Sequence, residues 1–225
     1  VDSDGQRRQV TVPVAVFGTA DFFGTVLITY LGGLALFVLG FIVYMLKPDT
    51  ATSWVFLLLC LFLGTYMVTA YDVQSAYTLA YIHYLALCFM PAPCLHLGLI
   101  FPERKPVLDR FPRLTGLVYL PAALLALFLG IYLFHFTAIL DGTLNWLPDY
   151  KQLGALARLY AIAGAFGLIG LVLYSYFRAA TPAYRQRAKM MLFGVTTAFV
   201  PSVVFMLLVN LRILLFPYNL IVFFI

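Results

Sequence analysis

The segment "CLHLGLIFPERKP", residues 94–106, joins an apolar run that contains one histidine to an abrupt charged edge. The uncharged stretch that it closes extends from Val73 to Pro102 and has 30 residues. Because a helix needs only about 20 residues to cross a hydrocarbon core roughly 30 Å thick, this stretch predicts a transmembrane helix. The residue before a proline is disfavoured in helical geometry, so Phe101-Pro102 predicts the end of that helix at the membrane boundary.

The composition of the whole chain agrees with this interpretation. Of the 225 residues, 64% are hydrophobic and only 10% are charged, with a mean hydropathy of +0.98. A soluble domain typically has about 25% charged residues. The net charge of +5 comes from residues that flank apolar stretches, which favours a lipid bilayer over nucleic acid as the partner. We therefore expect an integral membrane protein.

Charged residues divide the chain into seven apolar stretches. The last of them, Ile213 to Ile225, has 13 residues and would extend only about 20 Å as a helix, so we expect it to continue beyond Ile225. The fold class predicted is an all-α bundle of seven transmembrane helices with a truncated seventh. The predicted spans are 22–46, 52–71, 76–101, 114–139, 155–177, 190–211 and 213–225. Within the fifth, Ala157, Ala161 and Ala165 form a small-residue row typical of close helix packing.

The distribution of lysine and arginine predicts the orientation. Alternate connections hold nine basic residues on one side of the membrane and two on the other. Cytoplasmic loops carry the excess, so we expect the amino terminus outside and a multi-pass topology. Apart from Lys47, the basic residues of the rich side are expected to contact anionic headgroups at the cytoplasmic face. They are Arg104, Lys105, Arg110, Arg113, Arg178, Arg185, Arg187 and Lys189.

Residues 1–20 differ from the rest of the chain. Ser3-Asp4-Gly5 is a turn signal, and valines recur at every second position from Val10 to Val16. We interpret 1–20 as the end of an extracytoplasmic β-containing domain, and 21–225 as the transmembrane helical domain. The alternative for the first segment is an irregular leader.

Three histidines and one arginine are the candidate functional residues within the spans. His83 and His135 are predicted at similar depths on neighbouring helices, which is the geometry that haem b requires. The alternative is that they are interior histidines held by hydrogen bonds. His96 and Arg158 are candidates for a sensing site or a polar core, since histidine titrates near neutral pH. Arg158 could reach the interface, pair with Asp149 or meet an anionic ligand. No catalytic or metal-binding motif occurs, and the second to fifth spans lack interior acidic residues, which argues against a proton-coupled carrier.

Two segments carry a family resemblance. "HLGLIFPERKP" closes the third span, and "YRQRAKMMLFGVTTAFVP" leads into the sixth. Together they resemble the multi-span amino-terminal sensor region of bacterial sensor histidine kinases, a module also found before phosphatase and cyclase domains. Residues 4–16 are similar to the final strand of a PDZ-like domain that often precedes it. The matching positions are His96, Phe101, Pro102, Arg104, Lys105, Arg185, Gln186, Arg187, Lys189, Gly194 and Pro201.

The resemblance implies a signal-transducing module of the bacterial cytoplasmic (inner) membrane. A cytoplasmic output domain, such as a histidine kinase of a two-component system, would follow beyond Ile225. A homodimer or partner membrane subunits are expected. The alternative function is a structural or haem-carrying redox subunit of a larger membrane complex.

Overall fold

The computed structural model describes residues 22–74, 78–134, 150–179 and 181–210. A π-helical turn, Phe22–Leu27, precedes the first α-helix, and a 3-10 turn, Asp72–Gln74, follows the second. Within the described ranges every regular element is helical and there is no strand. The α-helices are α1 (Ile28–Leu46), α2 (Ala51–Thr69), α3 (Ala80–Phe89), α4 (Pro91–Ile100), α5 (Val107–Arg110), α6 (Leu114–Leu117), α7 (Leu120–Phe134), α8 (Tyr150–Arg178) and α9 (Pro182–Asn210).

Five helical stretches in the described part of the chain are long and apolar enough to cross a membrane. They are Thr29–Leu46, Ala51–Thr69, Ala80–Ile100, Leu114–Phe134 and Gln152–Arg178. The predicted all-helical character is confirmed for these residues, and the helices are compatible with a multi-pass membrane protein. The β-type segment 1–20, the end of the fourth predicted span and the seventh predicted span lie outside the described residues.

Prolines interrupt two of these stretches, because each lacks the N–H that would continue the helical ladder. Met90, between α3 and α4, keeps helical dihedrals (φ −51°, ψ −40°), and its N–H bonds the Ala86 carbonyl at 2.9 Å. The third span is therefore one continuous helical stretch made of two segments. Pro121 lies just after the α6–α7 break. Phe101 is extended (φ −121°, ψ 147°), so the helix ends where the Phe-Pro pair predicts.

The third span, α3 with α4, lies at the centre of the bundle. It packs against α2, α7 and α8, whereas α1 packs on α2 and α9 packs on α8. In the third span 67% of the residues are buried, compared with 17% in the first. The largest fully buried side chains here come from several helices and include Cys88, Cys94, Leu129, Leu168 and Val172.

The bundle has two distinct ends. We call one the basic end: it consists of residues 47–50, residues 101–113, the last turn of α8 and the first turn of α9. We call the other the opposite end, formed by the residues after α2, those before α3 and the first turns of α8. The third span extends from one end to the other, so it can connect polar groups at both.

Candidate functional site

A buried polar cluster lies near the opposite end, where α2 ends and α3 begins. His83 is 5% exposed, and its Nδ1 lies 3.0 Å from the hydroxyl oxygen of Thr69. The Tyr66 ring stacks on the imidazole with centroids 4.4 Å apart and an angle of 25° between planes. Tyr84 meets the same imidazole edge-on at 5.5 Å. Polar side chains buried in an apolar bundle are costly unless they are hydrogen-bonded, and these partners meet that need.

The hydrogen bonds of Thr69 determine the direction of its contact with His83. A threonine hydroxyl has one proton, and that of Thr69 is donated to the Thr65 carbonyl at 2.7 Å. The Thr69 oxygen is then free to accept from His83, an arrangement that favours the tautomer with a proton on Nδ1. Nε2 is then the nitrogen with a lone pair in the neutral ring. The cluster thus favours one tautomer and one orientation of the histidine.

Charged residues from two further elements act on this cluster. Asp72, just after α2, interacts electrostatically with His83, and its carboxylate also accepts from the backbone N–H of Leu79 at 2.6 Å. Arg158 on α8 interacts electrostatically with the Tyr66 hydroxyl. The structure therefore places Arg158 beside the polar cluster of the second and third spans. The other proposed partner of Arg158, Asp149, lies outside the described residues.

The proposed haem pair consists of His83 and His135. His135 lies outside the described residues. The imidazole of His83 is stacked on Tyr66 and bonded to Thr69, and these neighbours occupy the space beside the ring. His83 is buried and hydrogen-bonded, and its pairing with His135 through haem stays a prediction.

His96 occupies a second, separate polar position on α4. Its Nδ1 lies 3.2 Å from the Tyr119 hydroxyl, and the two rings meet edge-on with centroids 5.9 Å apart. Tyr119 lies in the break between α6 and α7. The Tyr160 hydroxyl of α8 donates to the Val118 carbonyl at 2.6 Å in the same break. His96 thus helps to tie the start of the fourth span to the third.

The basic end contains a buried lysine. Lys105 is 5% exposed, and its ammonium donates to the Ser175 hydroxyl on α8 and to the Glu103 carbonyl. Ser175 in turn donates to the Leu171 carbonyl at 2.9 Å. The backbone N–H of Lys105 bonds the Leu99 carbonyl at 3.0 Å, which folds the connection back onto the end of α4. The third span is thereby tied to the fifth through a lysine.

Burial lowers the pKa of Lys105 because the charged form loses water, and the Glu103 carboxylate partly opposes this effect. Lys105 thus departs from the expectation that all eight basic residues of this side reach the headgroups. The other seven are exposed, as expected. Four of them lie over aromatic rings: Arg110 over Phe111, Arg178 over Tyr174, Arg185 over Tyr176 and Arg187 over Tyr184.

Sequence reasoning missed the partners that hold these groups. Three residues named in the sequence analysis have partners that it did not predict. The partner of His83 is Thr69, that of His96 is Tyr119 and that of Lys105 is Ser175. Ser175 offered a signal, since it is a hydroxyl in an otherwise apolar part of the fifth span. Thr69 and Tyr119 offered none, because small hydroxyl and aromatic residues are common near span ends.

Comparisons of the chain with family models, with characterised proteins and with solved structures give no match. The contacts described above are therefore the basis for a function.

Proposed function

We propose that this chain is a membrane signal-transducing module. It would cross a bacterial cytoplasmic membrane seven times with its amino terminus outside, and deliver a signal to an output domain that follows Ile225. The resemblance to sensor regions of histidine kinases and the asymmetry of the basic residues support this proposal. In this arrangement the basic end faces the cytoplasm and the His83 cluster faces outward. A homodimer, in which paired output domains would meet, fits the same scheme.

The position of the third span is the observation that carries the proposal. This span contributes His83 to the polar cluster and leads directly into the connection that holds Lys105. It is also the most buried of the five apolar spans. A polar change at the outer cluster would therefore act on a helix that contacts α2, α7 and α8 together.

The mechanism we propose is a small shift of packed helices. A ligand or membrane cue that altered the Thr69–His83 contact would move α3 relative to α2. Because α3 and α4 are continuous through Met90, the shift would reach the Phe101-to-Lys105 connection and the Ser175 contact on α8. Packed helices move by discrete displacements of this kind in signalling proteins. From α8 the shift would pass to α9 and onward.

Replacing His83 with leucine tests this coupling. We expect a nitroxide attached at Glu103→Cys, at the basic end, to change its mobility when His83 becomes leucine, because the third span loses its Thr69 anchor. Electron paramagnetic resonance of the protein in lipid nanodiscs measures this. Cys60, Cys88 and Cys94 are buried, so the new cysteine is the preferred label site.

The matched control is Ile82→Ala on the same helix, since Ile82 is exposed and contributes nothing to the cluster. It should leave the nitroxide spectrum unchanged. If His83→Leu gives the wild-type spectrum while helix content is retained, the third span does not couple the two ends and the proposed mechanism is wrong.

The proposed orientation has a direct test by cysteine labelling. Thr78→Cys at the opposite end and Arg113→Cys at the basic end both place a thiol at an exposed position. In spheroplasts, a membrane-impermeant maleimide should label position 78 at once and position 113 only after permeabilisation. The unaltered protein is the control, because its three cysteines are buried. The reverse labelling pattern would show that the amino terminus is inside.

A further inference from the structure

A pocket of about 270 Å³ opens at the basic end between the connection after α4 and the end of α8. We call it the basic pocket. Its charged lining consists of three cations, Arg104, Lys105 and Arg178, and one carboxylate, Glu103. Tyr174, Ser175 and Tyr184 supply hydroxyl groups. A concave site with convergent polar groups and excess positive charge is suited to an anion.

Lys105 gives the pocket a fixed donor. Among the described residues its acceptors are the Glu103 carbonyl and the Ser175 hydroxyl, which use two of the three N–H bonds of the ammonium. The third remains for another acceptor. Because the lysine is buried, an anion placed beside it would replace part of the hydration that the ammonium has lost.

Arg178 and Arg104 supply further donors to the pocket. The Arg178 guanidinium lies over the Tyr174 ring, 5.9 Å from its centroid, which orients its planar group. Such a group binds phosphate oxygens through two parallel hydrogen bonds. Arg104 forms an exposed ion pair with Asp109 at 3.4 Å. Exposed pairs contribute little stability, so Arg104 can exchange this partner for a ligand.

The surface beside the pocket indicates what the anion is attached to. Phe166, Leu173 and Phe177 are exposed on α8, and Phe177 has 70% of its surface accessible. Their spacing places them along one face of the helix, which leads from the apolar part of the span to the turn that carries Arg178. An acyl chain lying along this face would bring its headgroup to the mouth of the pocket.

From this geometry we infer that the basic pocket binds the phosphate group of an anionic glycerophospholipid. The inference deepens the proposed function and rests on it for one point, the placement of the basic end at the membrane surface. A lipid held here would contact both the connection from the third span and the end of the fifth. It would thereby stabilise the Lys105–Ser175 contact, which connects the third span to α8.

The test uses the whole chain in detergent micelles and native mass spectrometry, which counts bound lipids. Short-chain phosphatidylglycerol is the probe, and glycerol 1-phosphate provides the same phosphate without acyl chains. We expect saturable binding of one phosphatidylglycerol per chain, weakened about tenfold in Arg178→Gln, which loses a charge-assisted contact. Lys105→Met should weaken it similarly. Arg113→Gln is the matched control, because Arg113 is exposed at the basic end but does not line the pocket.

Two results would overturn the inference. Equal weakening by Arg178→Gln and Arg113→Gln would mean diffuse attraction to the whole basic end. Glycerol 1-phosphate binding as tightly as phosphatidylglycerol would identify a soluble phosphate ester, and not a lipid, as the ligand. Lipid binding is measured independently of signal transmission. Specific lipid binding together with an unchanged nitroxide spectrum in His83→Leu would therefore support the lipid site and contradict only the coupling mechanism.

Discussion

Replacing Gly164 with valine is expected to prevent most of the protein from folding. Gly164 is buried on α8, where it faces Pro91 at the start of α4. A Cβ at this position would lie 2.5 Å from the Pro91 Cβ and 2.7 Å from its Cα. Neither atom can rotate away, because both belong to the proline ring and backbone. The helices would have to separate at the centre of the bundle, at a cost of about 3 kcal/mol or more.

Gly170→Val is the matched control. Gly170 lies on the same helix, and a Cβ there meets nothing within 4 Å. Both substitutions introduce the same β-branched side chain into a helix, so their intrinsic propensity terms cancel. We expect Gly170→Val to unfold near the wild-type temperature and Gly164→Val to aggregate or unfold far below it. Monodispersity in detergent and thermal unfolding of the helix signal measure the difference. Equal behaviour of the two variants would mean that α8 and α4 are not in close contact.

Replacing Ser175 with valine should give the second largest effect. The change leaves the Lys105 ammonium buried and without its side-chain acceptor. A hydrogen bond to a charged group is worth about 1.5–3 kcal/mol, and a buried charge without its partner costs at least as much. We therefore expect the free energy of unfolding to fall by about 2 kcal/mol. Thermal unfolding of the purified protein measures this loss.

A double variant, Lys105→Met with Ser175→Val, separates the effect of the buried charge from the effect of packing. Lys105→Met removes the charge and keeps most of the apolar stem, so alone it should be close to neutral. Combined with Ser175→Val it should restore most of the lost stability, because no unpaired cation remains. If the double variant is as unstable as the sum of the single changes, Lys105 and Ser175 do not interact in the folded protein.

The pH dependence of the Ser175→Val variant has a definite sign. Burial holds the pKa of Lys105 below its ordinary value of 10.5. Between the native pKa and that value the native state binds fewer protons than the unfolded state, so stability rises with pH. The loss of unfolding free energy caused by Ser175→Val should therefore be smaller in alkaline buffer, where the neutral amine no longer leaves a buried charge without its acceptor. A penalty that grows there would mean that the buried group is not a cation.

Some features could be predicted from individual residues. The uncharged stretches predicted the five apolar helical stretches of the described residues, and Phe101-Pro102 predicted the end of the third, because hydropathy and the restriction before proline are local properties. The small-residue row Ala157, Ala161 and Ala165 is buried, as its spacing indicates. The tight contact of Gly164 with Pro91, however, depends on the rotation of two helices about their axes.

The grouping of polar residues also required the tertiary structure. Lys105 and Ser175 are 70 residues apart in the chain, and Thr69 and His83 are 14 apart across a turn. Lys105 was grouped with seven exposed residues because sequence spacing cannot distinguish a lysine at the surface from one folded back under a loop. The sequence by itself determined that the chain forms apolar helices with one basic side, since hydropathy and charge are sums over individual residues. Only the tertiary structure decided which polar groups meet, since that depends on how the helices rotate, bend and pack.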